Sequence, residues 1–465
     1  MGEVRHLRGQ IGERSSDHAR HDGRFPEGIG IPDVTLPDGW KQGRLGELCS
    51  IEIGGTPSRS VEAYWDSAHE SSNVWVSIRD MHQRLITGSA EQISDLGIKK
   101  SNVKLQQPGT VLLSFKLSIG RVAIAAVPLF TNEAIAGLSP TGLTRDFLFQ
   151  GLQGWDLLQG MDQAIKGATL NKQKLQKILV EYPESVREQA RIAEVLSMMD
   201  RAIEETEQLI AKQQRIKTGL MQELLTRGID EHGNLRSEQT HKFKDSPLGR
   251  VPLEWDCKEL ARVLVQRPRN GLYKPASLIG RGTLLVGQTS FTQSRRLDFS
   301  LCRRAVVSPS EIETFGLVLG DILVTRVFAT VDGVGQPVLV DAPPEPAVYE
   351  SNMLLVRPAA SIIDSLLLFT WLRSVAIRRR VLCSVNASNQ VSVNQMALNS
   401  LPVPVPSISE QKRISQALRQ IDAAVRCTDI SLQKLRRLKT ALMQDLLTGN
   451  RRVTALLGQC ERVTT

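Results

Sequence analysis

The stretch SVREQARIAEVLSMMDRAIEE, Ser185–Glu205, returns as SISEQKRISQALRQIDAAVRC, Ser407–Cys427, and RIKTGLMQELLT, Arg215–Thr226, returns as RLKTALMQDLLT, Arg437–Thr448. The offset is a constant 222 residues with no gap, and about 19 of 42 aligned positions are identical. A repeat of this length is a whole architectural unit, not a short solenoid module. The chain therefore reads as two similar halves with two similar binding surfaces.

Each copy has helix periodicity, no Pro, and a Gly just past its end, Gly228 or Gly449, where a C-terminal Gly stops a helix. In the first, Ile192, Leu196, Met199, Ile203, Thr206, Ile210, Gln213, Lys217, Leu220 and Leu224 are spaced alternately by four and three. In the second, Ile414, Leu418, Ile421, Val425, Thr428, Leu432, Leu435, Lys439, Leu442 and Leu446 keep the same register. This spacing predicts a coiled-coil seam; the alternative is an amphipathic helix lying on its own domain. About 40 residues make each helix roughly 60 Å long. The first helix leaves one domain and the second leaves the other, so helices packed along their length should be antiparallel. The two domains would then sit at opposite ends of a rod with a pseudo-twofold axis across its middle.

Upstream of each helix the likeness continues at changing offsets. Leu170, Asn171, Leu175, Ile178, Val180 and Pro183 align with Val393, Asn394, Leu398, Leu401, Val403 and Pro406. Pro37, Trp40 and Leu45 align with Pro252, Trp255 and Leu260. Gly109 and Gly320 open apolar runs that turn at Gly120 and Gly335, and Asn132 and Asn352 form a further candidate pair. Short β-branched runs broken by turn residues predict strand-rich, mixed α/β domains. The fold class is α+β: two such domains joined by two long antiparallel coiled-coil helices in an internal repeat. The expected boundaries are a disordered segment at 1–35, a first domain at 36–184, a helix at 185–228 and a polar linker at 229–247. A second domain follows at 248–406, then a helix at 407–449 and a tail at 450–465.

At 465 residues the length suits about three domains. A net charge of +9 favours a polyanionic partner, with a solvated basic surface as the alternative. Six scattered cysteines without a CxxC read as reduced thiols of a cytoplasmic protein, not as zinc ligands or disulfides. No apolar run approaches the 18 residues of a membrane span, and no hydrophobic signal core opens the chain.

Catalytic patterns are absent. There is no GxxxxGK[ST] for a nucleotide phosphate. Gly333-Val-Gly335 lacks GxGxxG, and Ala342-Pro-Pro-Glu does not fit the Asn/Asp-Pro-Pro-aromatic motif of an amino-methyltransferase. His82 and His241 have no metal-spaced partners. The expectation is a chain that binds, with no catalytic residue and no metal.

Two domains that open on Trp and two helices that open on Pro and EQxRI define the pattern. LPDGWKQGRLGEL (Leu36–Leu48), GGTPS (Gly54–Ser58), Pro183 with Glu188-Gln189, Pro406 with Glu410-Gln411, and two MQ(E/D)LLT ends carry it. In this it resembles the specificity (S) subunit of type I restriction–modification enzymes, over about residues 36–449. The resemblance implies target recognition domains, each reading one half of a split double-stranded DNA sequence. It implies helices that act as spacer and as dock for two modification (methyltransferase) subunits, with restriction subunits joining afterwards. S-adenosylmethionine, ATP and Mg are then expected on the partner subunits and no cofactor on this chain. One departure stands out: the second domain opens with EWDCKEL and has RNGLYKP (Arg269–Pro275) where the first has GGTPS.

Phosphate contacts position a protein on DNA and base-edge contacts specify the sequence. Basic and amide side chains near turns are therefore the candidate DNA contacts: Arg59, Lys116, Arg121, Arg267, Arg269, Lys274, Arg326, Asn386, Asn389 and Gln390. For each, a solvated surface residue is the alternative. Leu224, Leu225, Leu446 and Leu447 exceed what one seam needs. They either pack on the chain's own domains or dock partner helices. A non-catalytic coiled-coil interaction scaffold, and an enzyme with unrecognised motifs, remain as other readings of the whole.

Overall fold

Val186–Thr226 and Ile408–Leu447 form the two long helices. All ten seam positions in each are buried or half-buried, while Arg201, Glu204, Glu205, Glu207 and Gln208 between them are exposed. The computed structural model describes residues 36–116, 118–158, 170–292, 296–387, 391–393 and 395–453. The expectation for residues 1–35, most of the tail, and candidates Asn389 and Gln390 lie outside the described residues.

The chain forms two compact units, Met1–Ser197 with Thr440–Thr465, and Met198–Lys439. The division crosses both long helices. In the first unit Ile192, Ala193 and Leu196, from the start of one helix, share a core with Leu446 and Leu447, from the end of the other. In the second unit Leu224 and Leu225 share a core with Ile414 and Leu418 in the same way. Within the second unit Lys439 Nζ lies 2.5 Å from Asp200 Oδ1, Arg436 Nη2 lies 2.6 Å from Glu207 Oε1, and Lys217 pairs with Asp422. Partner numbers rise on one helix as they fall on the other, so the helices are antiparallel there, as connectivity predicts.

The two domains share a strand order. In the first, Cys49–Ile53, Ile135–Pro140, Val111–Ser114 and Val122–Ala125 lie side by side as antiparallel neighbours, with Leu85–Ile86 added in parallel at the edge. In the second, Arg269–Asn270, Met353–Val356, Ile322–Thr325 and Pro337–Leu339 repeat that order. A second small sheet in each is built on a parallel pair, Val74–Val76 with Leu129–Thr131 and Ile279–Val286 with Ala347–Tyr349. Gly109 and Gly320, and Gly120 and Gly335, all have positive φ, so both predicted turn pairs use the conformation that favours glycine.

A two-stranded ribbon closes each domain beside its long helix. Trp40–Arg44 pairs with Leu179–Pro183, and Asp256–Glu259 pairs with Pro402–Val405. The polar stretch predicted as a linker at 229–247 carries buried residues and a strand. Ile229 and Arg236 are buried, and Phe243–Ser246 forms a hairpin with Gly249–Pro252. Arg236 is buried within this polar stretch because it meets the buried Glu410 carboxylate.

Candidate functional site

Glu410, 3% exposed, accepts from both terminal nitrogens of Arg236, 6% exposed, with Nη2 3.1 Å from Oε2. Trp255 Nε1 donates to the same carboxylate at 3.1 Å and the Ile229 amide at 2.9 Å. A buried charge is tolerated only when it is paired and hydrogen-bonded, and here every acceptor position is used. Gly228 has φ +64°, and a Cβ there would collide with Glu410 and Trp255. The end of the first long helix is thus clasped to the start of the second.

The first unit builds a related clasp from the other two helix ends, without the indole hydrogen bond, since the buried Trp40 Nε1 has no partner among the described residues. Arg452 Nε and Nη2 lie 2.7 and 2.8 Å from the Glu188 carboxylate. Gly449, φ +72°, packs on Trp40 and Pro37. The neighbouring glutamines tie each helix to its domain. Gln189 Oε1 accepts from the Thr144 amide at 2.7 Å, and its Nε2 donates to the Pro183 carbonyl at 2.9 Å. Gln411 does the same with the Asp364 amide at 2.7 Å and the Pro406 carbonyl at 2.9 Å. Thr144 and Asp364 are the N-caps of Arg145–Gly154 and Ser365–Leu372, where orphan amides need acceptors. The Pro, EQxRI, Trp and terminal-Gly motifs are therefore assembly elements.

GGTPS and RNGLYKP occupy one equivalent loop. Gly54 N donates to Ile135 O at 3.1 Å and Gly55 N to Thr131 O at 2.8 Å. Gly271 N donates to Met353 O at 3.2 Å and Leu272 N to Tyr349 O at 2.8 Å. A Cβ on Gly54 or on Gly271 would strike the backbone of that neighbouring strand, so one glycine per loop is required by close approach. This register makes Ile135 equivalent to Met353, and hence Ala134 to Asn352. The predicted Asn132–Asn352 match is displaced by two residues, because the halves differ by insertions that sequence spacing alone does not place.

The candidate contacts fall in several places. Arg59 Nη1 and Nη2 lie 2.5 and 3.2 Å from the Glu91 carboxylate, and its guanidinium stacks 3.6 Å from the Trp65 ring centroid. Arg79 pairs with Glu91 as well. The hydrogen bond from Arg59, reinforced by both guanidinium charges, holds the Glu91 carboxyl below the usual range. Lys116 lies 5.5 Å from the Phe115 ring centroid, and Arg121 donates to Ile78 O at 3.2 Å. Arg59 and Lys116 both act on Glu133, whose carboxyl is lowered first by the Thr56 hydroxyl and further by these two charges.

In the second domain Lys274 Nζ lies 2.8 and 2.9 Å from the Glu311 oxygens. Arg269 sits 5.3 Å from the Phe315 ring centroid, Arg267 is exposed, and Arg326 is half-buried beside Asn352, whose carbonyl takes its amide at 2.8 Å. Asn386 lies on the strand Val385–Ala387. Arg378 donates to Val334 O at 2.7 Å and Arg380 to Pro247 O, which commits two of the Arg378–Arg380 run to backbone carbonyls.

The docking reading of Leu224, Leu225, Leu446 and Leu447 is corrected. All four are at most 5% exposed within the chain's own cores. Deep burial satisfies their apolar side chains already, and no surface is left there for a partner helix.

The family described as type I restriction modification DNA specificity domain matches residues 37–213 and 339–438, more than half of the chain. The chain belongs to this family. Among curated relatives of this specificity family, the chain is 25% identical over 236 residues to the type I restriction enzyme MjaIX specificity subunit of Methanocaldococcus jannaschii, covering 49% of this chain and 52% of that protein. It is 27% identical over 169 residues to the EcoR124I/EcoR124II specificity subunit of Escherichia coli, covering 35% and 40%. The matches to the first such relatives span about half of their length. The fold is shared with a chain of a solved type I R-M system, TM-score 0.57 at 17% identity, covering 90% of this chain and all of that one. It is shared also with the type I S subunit from M. genitalium, TM-score 0.53 at 14% identity, covering 90% and 99%.

The specificity-domain match omits residues 214–338. That interval holds RNGLYKP, so the gap falls where the second domain departs from the first. Sequence reading of this specificity protein missed Arg236 and Arg452 as motif partners. An arginine shortly after each helix-stopping Gly, Arg236 after Gly228 and Arg452 after Gly449, was their only signal.

Proposed function

We propose that this chain is the non-catalytic, DNA-recognising specificity subunit of a type I restriction–modification complex. Each domain reads one half of a bipartite double-stranded target. The long helices set the gap between the halves and carry two modification subunits, with restriction subunits joining that assembly. S-adenosylmethionine, ATP and Mg belong to those partners.

The observation that carries this reading is one frame used twice with different side chains. Strand order, turn glycines, clasp and glutamine tie repeat between the domains, whereas the loops at Gly54–Arg59 and Gly271–Pro275 differ. Two copies of one frame with unlike surfaces suit two unlike half-targets, because base readout is local to each domain. The net charge of +9 supports a polyanionic ligand, since phosphate neutralisation drives such binding. Two equivalent helices support two equivalent partners.

The test is DNA binding by the complex of this chain with its modification subunits, over a range of salt, alongside native mass spectrometry. The expected result is sequence-specific binding that weakens steeply with salt and two modification subunits per chain. Salt-independent protein binding without DNA affinity would leave the scaffold reading, and a saturated one-to-one complex would contradict the stoichiometry.

A further inference from the structure

The equivalent loops hold a pair of facing positions that differ completely between the two domains. By the shared hydrogen-bond register, Thr56 corresponds to Tyr273 and Glu133 to Ser351. In the first domain the Thr56 hydroxyl donates to the exposed Glu133 carboxylate. Arg59 and Lys116 act on that carboxylate electrostatically. A surface carboxylate oriented by a hydroxyl donor is a fixed acceptor, and on DNA such a group pairs with the amino group of cytosine.

In the second domain the same place carries an aromatic ring on a pinned loop. Leu272 is buried, its amide donating to Tyr349 O at 2.8 Å and its carbonyl accepting from Ser351 N at 3.0 Å. Lys274 is fixed by Glu311, a residue that also closes the capping box of Pro309–Phe315. Between these two anchors Tyr273 is 77% exposed. It stands at a cleft of about 420 Å³ lined also by Lys274, Arg303, Ser351 and Asn352. The backbone on either side is immobilised while the ring faces solvent. That arrangement preorganises a contact at little entropic cost.

We propose that Glu133 with Thr56, and Tyr273 with Ser351, are the base-reading pairs of the first and second half-targets. This rests on the reading of the chain as a bipartite DNA-recognition subunit. Rigid strands position the pair, and changing its side chains changes the bases accepted without altering the frame. Glu133 selects an amino-bearing base edge. Tyr273 offers a ring for apolar contact and a hydroxyl for one hydrogen bond.

The experiment uses the full chain in complex with its modification subunits and a set of duplexes in which each target base pair is replaced in turn. Glu133→Gln should lower discrimination about fivefold or more at one base pair of the first half and leave the second half unchanged. Tyr273→Ala should do so in the second half alone, and Tyr273→Phe should retain part of that discrimination. Melting temperatures of the variants, measured in parallel, report folding, and Tyr273→Phe serves if the alanine variant unfolds. A uniform loss of affinity across all duplexes, or unchanged discrimination in a folded variant, overturns the proposal. If the unsubstituted complex itself prefers no bipartite target, the underlying reading fails rather than this assignment.

Discussion

Lys439 and Asp200 form an ion pair at 2.5 Å across the two long helices, and one repeat away Lys217 and Asp422 form the same pair. Lys217 and Lys439 are the seam positions where a hydrophobic residue is expected. Each instead reaches a carboxylate on the other helix, and all four side chains are half-buried. A polar group at a seam position costs stability and fixes register. The pair is made only when Lys217 and Lys439 run past each other in opposite directions, so one antiparallel register satisfies both.

Removing one member should therefore be worse than removing both. Asp200→Ala removes the carboxylate that the half-buried Lys439 meets, and a loss of about 1 to 2 kcal/mol is expected, between exposed and buried pairs. Lys439→Met with Asp200→Ala should recover part of it. A double-mutant cycle by chemical denaturation measures the coupling. A coupling of zero would mean that the pair contributes nothing to register.

The buried clasp should be more sensitive. Glu410→Ala leaves the buried Arg236 guanidinium with the exposed Glu254 carboxylate at 3.2 Å and takes the acceptor from the indole N–H of Trp255, an expected loss of about 3 kcal/mol. Hydrogen exchange should speed up first between Gly228 and Arg236, since that segment loses its anchor. Glu188→Ala should cost less, because Arg452 remains partly exposed, its side chain at 30%. Equal losses at both sites would contradict the burial argument.

Two glycines of the first long helix and its end make an opposed pair. Gly219 is helical and exposed, with open space where a Cβ would sit. Gly219→Ala should stabilise by about 0.5 to 1 kcal/mol. Gly228→Ala should destabilise by at least about 1 to 2 kcal/mol from its left-handed backbone alone, before the collision with Glu410 is added. Thermal unfolding of the two variants should move in opposite directions.

The repeat, the helix bounds, the seam and the helix-stopping glycines were legible because each is a local pattern of spacing. The strand order and both clasps were not. Arg236 meets Glu410 across 174 residues, and no periodicity announces a contact at that range. Leu224 and Leu446 were ambiguous for a different reason: a buried core leucine and a docking leucine look alike in sequence. The candidate DNA residues Arg59, Lys116 and Lys274 were found as basic groups near turns. The proposed base-reading pairs, Thr56 with Glu133 and Tyr273 with Ser351, were not legible, since their equivalence depends on strand register.

Acid should weaken the first domain through Glu91. Its folded carboxyl is held below the ordinary value near 4.3, first by the Arg59 hydrogen bond and then by the charges of Arg59 and Arg79. A depressed carboxyl contributes stability that is complete above the unfolded value and is lost as pH falls through the folded one. The parent should thus be more stable than Glu91→Gln at pH 7, and the difference should shrink below pH 4. Denaturant midpoints at both pH values check this, and an undiminished difference at low pH would speak against the pair.

Exchanging residues 248–406 for the second domain of another family member, and then mapping methylated adenines genome-wide in cells that contain the whole complex, tests the central claim most directly. Clasp and glutamine contacts that recur in both halves should seat the foreign domain. The account predicts that one half of the target changes while the other half is retained. A target in which both halves change together would contradict it.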